Sequence, residues 1–169
     1  SDVTNETGVW TLRFLCATLA ITPLRRLSDW NGAIRFRRMI GLYAFFYGTL
    51  HLMTYVILDR FAGLDFSGGL TWATVVSWKT ARGLAISVAT GVYKRPVITI
   101  GSLAFLSMVP LAATSTAGMI RRLGGRRWQA LHRLVYVSAT AGVVHYWWLV
   151  KANVDRPQRY AVVVGVLLV

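Results

Sequence analysis

Four long apolar segments alternate with short polar or basic stretches along this chain, a pattern typical of proteins that cross a membrane several times. A further apolar run at residues 160–169 is too short to cross a bilayer, and we expect it to be an incomplete span. The pattern predicts an all-α fold, a polytopic transmembrane helical bundle that forms a single domain over residues 1–169. The four complete segments cover residues 9–24, 39–58, 97–116 and 128–150.

Residues 70–93 do not fit this pattern, because their apolar patches are interrupted by Lys79 and Arg82. A spanning helix would have to bury both charges, which is costly in hydrocarbon. An amphipathic helix lying at the membrane interface accommodates these charges together with Trp72 and Trp78. The alternative is an ordinary loop domain outside the membrane.

The charge distribution predicts contact with lipid and an orientation in the membrane. The chain has 19 Lys+Arg against 6 Asp+Glu, a formal net charge of +13. Its basic residues stand at the ends of apolar segments, as they do near lipid headgroups, so we expect a lipid membrane and no nucleic acid as partner. Arginines are densest in residues 25–38 and 117–127, which lie on one side if each segment crosses once. The positive-inside rule places that side in the cytoplasm.

The composition also excludes several kinds of site. The single cysteine, Cys16, cannot form a disulfide within the chain or hold an iron–sulfur cluster. No acidic residue lies in the middle of an apolar segment, which argues against a proton-relay transporter. Residues 1–6 lack the basic region of a signal peptide, and the apolar run at the other end leads us to expect that the protein continues beyond residue 169.

The chain has three histidines, His51, His132 and His145, and all three lie in apolar segments. A single histidine in a membrane often serves as a hydrogen-bonding group between helices. Neutral imidazole is also the common protein ligand of haem iron. Because all three histidines lie in apolar segments, we favour this second role. We therefore predict that all three are metal ligands and cofactor-binding residues, with one or two haem groups held between the helices.

The depths of the histidines predict which of them share a haem. His51 lies twelve residues into its segment, about 18 Å from the cytoplasmic end and beyond the middle of the bilayer. His145 lies five residues before the outer end of a different segment. Since both are at a similar depth towards the outer side, we predict that they ligate one outer haem together.

His132 precedes His145 by 13 residues, which places it about 20 Å closer to the cytoplasm. The residue 13 positions before His51 is Arg38, which stays protonated and is a poor iron ligand. Its guanidinium suits a haem propionate better. We predict that His132 holds a second haem, with Arg38 at a propionate or near the open axial position. Because 13 residues turn an ideal helix about 140° away from the starting face, a kink, a tilt or two different haem sides must accommodate this geometry.

Glycines within the apolar segments allow two interpretations. Gly41, Gly48 and Gly142 could let a flat macrocycle approach the helix backbone, or they could let the helices pack closely. The chain contains no dinucleotide-binding, Walker or HExxH motif, so we expect no catalytic residue.

Several stretches of the sequence together resemble the MsrQ (YedZ) family, haem-binding membrane subunits within the ferric-reductase-like transmembrane superfamily. The stretches cover most of residues 8–150, and their combination is specific although no single stretch is. They are ATLAITPLRR (17–26), RRMIGLY (37–43), LHLMTY (50–55), RPVITIG (95–101), PLAATS (110–115), WQALHRLVY (128–136) and HY (145–146).

The resemblance implies haem b at His51, His132 and His145, and a multi-pass location in the bacterial inner membrane. It also implies a partner, a periplasmic molybdopterin subunit that reduces methionine sulfoxide, and an electron donor on the cytoplasmic or quinone side. FMN has been linked to the family, but nothing in this sequence indicates a flavin site. The family has a further helix before residue 8 and a complete last helix, and residues 70–93 look longer than its usual connection.

The sequence therefore predicts a haem b electron-transfer subunit that passes electrons across the membrane and has no substrate site of its own. One alternative is a stand-alone ferric or flavin-type transmembrane reductase, which would need a soluble nucleotide-binding domain. The other is a non-redox transporter or anchor, whose histidines would form hydrogen bonds between helices.

Overall fold

The described part of the molecule is helical and contains no strand, which confirms the all-α fold class. The computed structural model describes residues 2–29, 32–61, 78–150 and 155–168. A π-helical turn, Tyr55–Phe61, continues the second helix. The helices are α1 (Asp2–Ser28), α2 (Ala33–Thr54), α3 (Trp78–Lys94), α4 (Pro96–Ala113), α5 (Ala117–Leu123), α6 (Gly125–His132), α7 (Leu134–Leu149) and α8 (Asp155–Leu168).

Three helical stretches in the described ranges are long and apolar enough to cross a membrane, by length and composition: Asp2–Ser28, Phe36–Leu58 and Pro96–Ala113. The fourth predicted segment, residues 128–150, is divided between α6 and α7 at Arg133. The Arg133 N–H bonds to the Ala130 carbonyl three residues earlier, at 3.2 Å, as in a 3₁₀ turn. Such a turn advances the chain around the helix axis faster than an α-helical turn does.

Two other predicted segments differ from the observed helices at their ends. The first predicted segment, residues 9–24, ends directly after Pro23, but α1 continues through this proline to Ser28. An interior proline removes one N–H donor, and the turns that follow can still form their own bonds, as transmembrane helices often show. Helix α3 covers the second part of residues 70–93, whereas residues 70–77 lie outside the described ranges. Its location at the membrane interface stays a prediction.

The bundle is built from two antiparallel helix pairs. Helix α1 packs along α2, and α4 packs along α7. In the second pair, Val97 at the start of α4 contacts His145 near the end of α7, while Ala104 contacts Ser138 about two turns further in. Helix α2 also touches α4, and α1 touches both α7 and α8, so the two pairs lie against each other.

Helix α1 contributes seven buried residues to the core of the described bundle. Its buried side chains recur every three or four residues, which is the spacing of one helix face. That face packs between α2, α7 and α8, and it includes the single cysteine, Cys16. The buried residues of α1 are Val9, Leu12, Leu15, Cys16, Thr18, Leu19 and Ile21.

Small residues allow α4 and α7 to pack closely. Ser138 and Ala139 are fully buried, and the Ser138 hydroxyl donates to the Ala104 carbonyl at 2.9 Å. Small side chains allow helix backbones to approach, and a hydroxyl can then bond across the interface.

Ser138→Leu is expected to lower the free energy of unfolding by about 1–3 kcal/mol, because a larger side chain overpacks this contact. Thermal unfolding in detergent measures the effect. Val137→Leu is the matched control, since Val137 is 44% exposed on the same helix. Equal melting temperatures for the two variants would show that the contact does not limit helix packing.

Candidate haem site

The structure brings two of the three histidines together. The rings of His51 on α2 and His145 on α7 have centroids 6.1 Å apart and planes at 80°. Both lie at the end of the bundle where α1 and α4 begin, because His51 contacts Thr4 and His145 contacts Val97. One histidine comes from each helix pair, so the rings meet where the two pairs lie against each other.

Each of these imidazoles is held by a backbone carbonyl of the helix with which it is paired. His51 Nδ1 donates to the Thr4 carbonyl at 2.7 Å, and His145 Nδ1 donates to the Val97 carbonyl at 2.7 Å. A carbonyl oxygen can only accept, so the proton lies on Nδ1 in both rings. The Nε2 atom of each ring then keeps its lone pair, which is the form of histidine that binds a metal.

The spacing of the two rings fits a haem iron held from both sides. Two imidazoles that share one metal, each with a nitrogen about 2 Å from it, have ring centres about 6 Å apart. Among the described residues, no group of three or more His, Cys, Asp or Glu side chains is placed to hold a metal ion. A pair of imidazoles suits haem better than a bare ion, because the macrocycle supplies the remaining ligands.

His132 lies at the opposite end of the bundle. Its Nε2 is 3.3 Å from the hydroxyl of Thr114, the residue that follows the last turn of α4. Val97, which contacts His145, and Thr114, which contacts His132, are 17 residues apart along α4, or about 25 Å. The ring of Trp128 covers one side of the imidazole, with centroids 3.9 Å apart, and its indole N–H donates to the Thr114 carbonyl at 2.9 Å.

Among the described residues, the Nε2 of His132 has a hydrogen-bond partner, whereas the Nε2 atoms of the other two histidines have none. The Thr114 hydroxyl donates to the Pro110 carbonyl at 2.6 Å, so its oxygen is available to accept a bond from His132. A metal on Nε2 would have to replace this hydroxyl. The residues here fit a haem only after that exchange.

The arginines at the start of α2 lie at the same end as His132. Arg38, which the sequence spacing indicated, is exposed. Its neighbour Arg37 is partly buried and lies close enough to interact electrostatically with His132. Both guanidinium groups could meet an anionic group beside this histidine.

Sequence reasoning missed two glycines that contact the histidines. Gly8 on α1 lies against the ring of His51, and Gly101 on α4 lies against the ring of His145. The sequence contains one signal for them, a similar spacing in the two helix pairs. Thr4 precedes His51 by 47 residues and Val97 precedes His145 by 48. A glycine stands four positions after Thr4 and four positions after Val97. The nearest neighbours of Gly41, Gly48 and Gly142 are side chains of packed helices instead.

Comparisons with known proteins all indicate one family. Residues 7–143 match the family described as the ferric reductase like transmembrane component. The chain is 51% identical over 168 residues to a protein from Ralstonia nicotianae and 48% identical over 168 residues to one from Herminiimonas arsenicoxydans. Another, from Rhodospirillum rubrum, is 48% identical over 165 residues.

Each of these relatives is named protein-methionine-sulfoxide reductase heme-binding subunit MsrQ. The matches include 98% of this chain and 68%, 67% and 69% of the respective relatives, so the chain spans about two thirds of their length. No solved structure shows a significant match.

Proposed function

The chain belongs to the ferric reductase like transmembrane family and, within it, to the MsrQ heme-binding subunits, and on this basis we propose that it is a multi-pass membrane protein that holds haem b and passes electrons. A bound haem supplies one-electron chemistry, since its iron changes oxidation state. The chain positions and tunes that group and has no substrate site of its own.

One observation carries this proposal: two imidazoles from different helix pairs lie with centroids 6.1 Å apart and their Nδ1 atoms bonded to backbone carbonyls. Such bonds orient the rings and leave both Nε2 atoms as ligands. His51 and His145 would together hold one haem through these Nε2 atoms. Burial between the helices would limit the access of water to it.

A second haem on His132 extends the proposal towards the other end of the bundle. His132 would exchange its contact with Thr114 for iron, and its ring would stay covered by Trp128. Arg38 is our candidate for a propionate or for the open axial position, and Arg37 is an additional candidate because it already interacts with His132. Haems held at these two histidine positions, which are about 20–25 Å apart along the helices, would divide the passage of an electron into two steps.

The name of these relatives, heme-binding subunit of a protein-methionine-sulfoxide reductase, supports a partner of defined chemistry. We propose that the chain serves a protein-methionine-sulfoxide reductase, whose catalytic subunit is a periplasmic molybdopterin protein. The arginine-dense end would face the cytoplasm of a bacterial inner membrane, with the electron donor at that end or in the quinone pool. The pair of His51 and His145 would then lie near the periplasmic partner. FMN enters only through the family resemblance, and flavin fluorescence of the purified protein tests for it.

Two other functions remain alternatives. A stand-alone ferric or flavin-type reductase shares the transmembrane family but would have to obtain electrons through a nucleotide-binding domain. A non-redox transporter or anchor would use the two imidazoles as an edge-to-face ring contact, for which 6.1 Å is also a normal spacing. The second alternative predicts a colourless protein.

The purified protein, reduced with dithionite, is expected to show the absorbance α-band of haem b. The ratio of haem to protein should lie between about one and about two, as the two candidate positions require. The measurement is a reduced-minus-oxidised spectrum together with quantitative haem extraction. A well-folded protein without this band after expression with ample haem would contradict the proposed function.

A further inference from the structure

We propose that Gly8 and Gly101 are positioning residues for the haem ligands, because the missing side chain at each glycine lets a histidine ring reach a helix carbonyl. This inference rests on the proposed function and concerns how the ligands His51 and His145 are held. Neither glycine needs to touch haem for the role proposed here.

The contacts at the two glycines are closer than a side chain would allow. A β-carbon added at Gly101 would lie 2.7 Å from both Nδ1 and Cε1 of His145. A β-carbon added at Gly8 would lie 3.0 Å from the same two atoms of His51. In both cases the crowded edge of the ring is the one that carries the Nδ1–H bond to the carbonyl.

Helix geometry explains why the glycine must stand four residues after the accepting carbonyl. Every Cα–Cβ bond in an α-helix tilts towards the N-terminus, so a β-carbon at position i+4 leans over the carbonyl of residue i. Thr4 and Gly8 have this spacing in α1, and Val97 and Gly101 have it in α4. A ring that approaches either carbonyl from outside the helix must pass through the space of that β-carbon.

The same arrangement occurs twice, once in each helix pair, which makes a chance contact a poor explanation. Glycine is a weaker helix former than alanine, so its presence inside α1 and α4 needs a packing reason. Three other glycines of the described helices, Gly41, Gly48 and Gly142, do not lie against a histidine ring. A β-carbon at Gly142 would lie 3.6 Å from a Leu12 side-chain carbon, which is ordinary contact.

A β-carbon at position 101 would push the imidazole away from the Val97 carbonyl. The ring would lose the bond that keeps its proton on Nδ1 and aims Nε2 at the iron. Gly101→Ala is therefore expected to weaken haem retention about 10-fold, the lower end of the usual effect of losing such a partner. Gly8→Ala is expected to act in the same direction but less, since its contact of 3.0 Å is less severe.

The experiment compares Gly101→Ala and Gly8→Ala with Gly142→Ala, a control on the same helix as His145. Haem retention is followed during transfer to apomyoglobin, and electron paramagnetic resonance reports the axial geometry of the iron. In haem-free protein, side-chain ¹⁵N NMR reports which nitrogen of each histidine carries the proton. We expect faster haem loss and an altered low-spin signal in the two test variants, a mixed tautomer at the affected histidine, and wild-type behaviour in Gly142→Ala.

Wild-type haem retention and a wild-type Nδ1–H tautomer in Gly101→Ala would overturn the inference, as would an equal effect in Gly142→Ala. A colourless wild-type protein would instead contradict the proposed function. In that event the ¹⁵N measurement still decides whether the two glycines place the rings.

Discussion

Replacing either His51 or His145 by alanine is expected to abolish one and the same haem signal. The two rings lie 6.1 Å apart, come from different helix pairs, and each has its Nδ1 occupied by a carbonyl. If both Nε2 atoms bind one iron, either change leaves a single axial ligand. Loss of a hydrogen bond that supports a ligand typically weakens metal binding about 10–100-fold. Loss of the ligand itself should weaken haem binding by at least as much.

The measurement is haem content and the low-spin signal of each variant in detergent. Thr54→Ala is the matched control, because Thr54 lies one turn from His51 and its hydroxyl donates to the local His51 carbonyl at 2.9 Å. Added imidazole should restore part of the low-spin signal in His51→Ala and His145→Ala by filling the vacated position. If His51→Ala and His132→Ala removed the same species while His145→Ala retained it, the pairing proposed here would be wrong.

Replacing His132 by alanine is expected to spare that low-spin signal and to slow electron transfer from the arginine-rich end. Its contact with Thr114 lies at the other end of α4 from the contact of His145 with Val97, so the two positions are independent. The haem-to-protein ratio should fall from about two to about one. The remaining haem should then be reduced far more slowly by a quinol donor in vesicles, although dithionite still reduces it.

The variant Thr114→Val distinguishes a haem-binding role of His132 from a purely structural one. The hydroxyl of Thr114 occupies Nε2 in the structure, so its removal should leave the second haem in place and give its ligand greater freedom to bind. If His132 served only as a hydrogen-bonding group, His132→Ala and Thr114→Val would have similar effects on stability and neither would change haem content. An unchanged haem ratio in His132→Ala would therefore remove the second haem from the proposal.

The membrane character and the order of the helices follow from the sequence alone. Runs of apolar residues long enough for a bilayer must form helices, because hydrocarbon offers no partner for an unpaired backbone group. The depths of the histidines also follow, since helix rise converts sequence position into distance from a charged end. This reasoning indicated His51 and His145 as neighbours, and their rings lie together in the structure.

Which arginine lies near His132 could be determined only from the packed helices. The sequence spacing indicated Arg38, whereas the partly buried arginine near His132 is Arg37, because one residue along a helix turns the side chain by about 100°.

By itself the sequence determined an all-helical membrane bundle, its family and the three histidines that could bind haem. Only the tertiary structure decided how those histidines are held: Nδ1 of His51 and His145 on the carbonyls of Thr4 and Val97, with Gly8 and Gly101 leaving room for the rings. The physical reason is that hydrophobic length and periodicity are properties of one segment. The space beside a carbonyl, and the direction of an imidazole, are set by two helices that are far apart in the chain and meet only after folding.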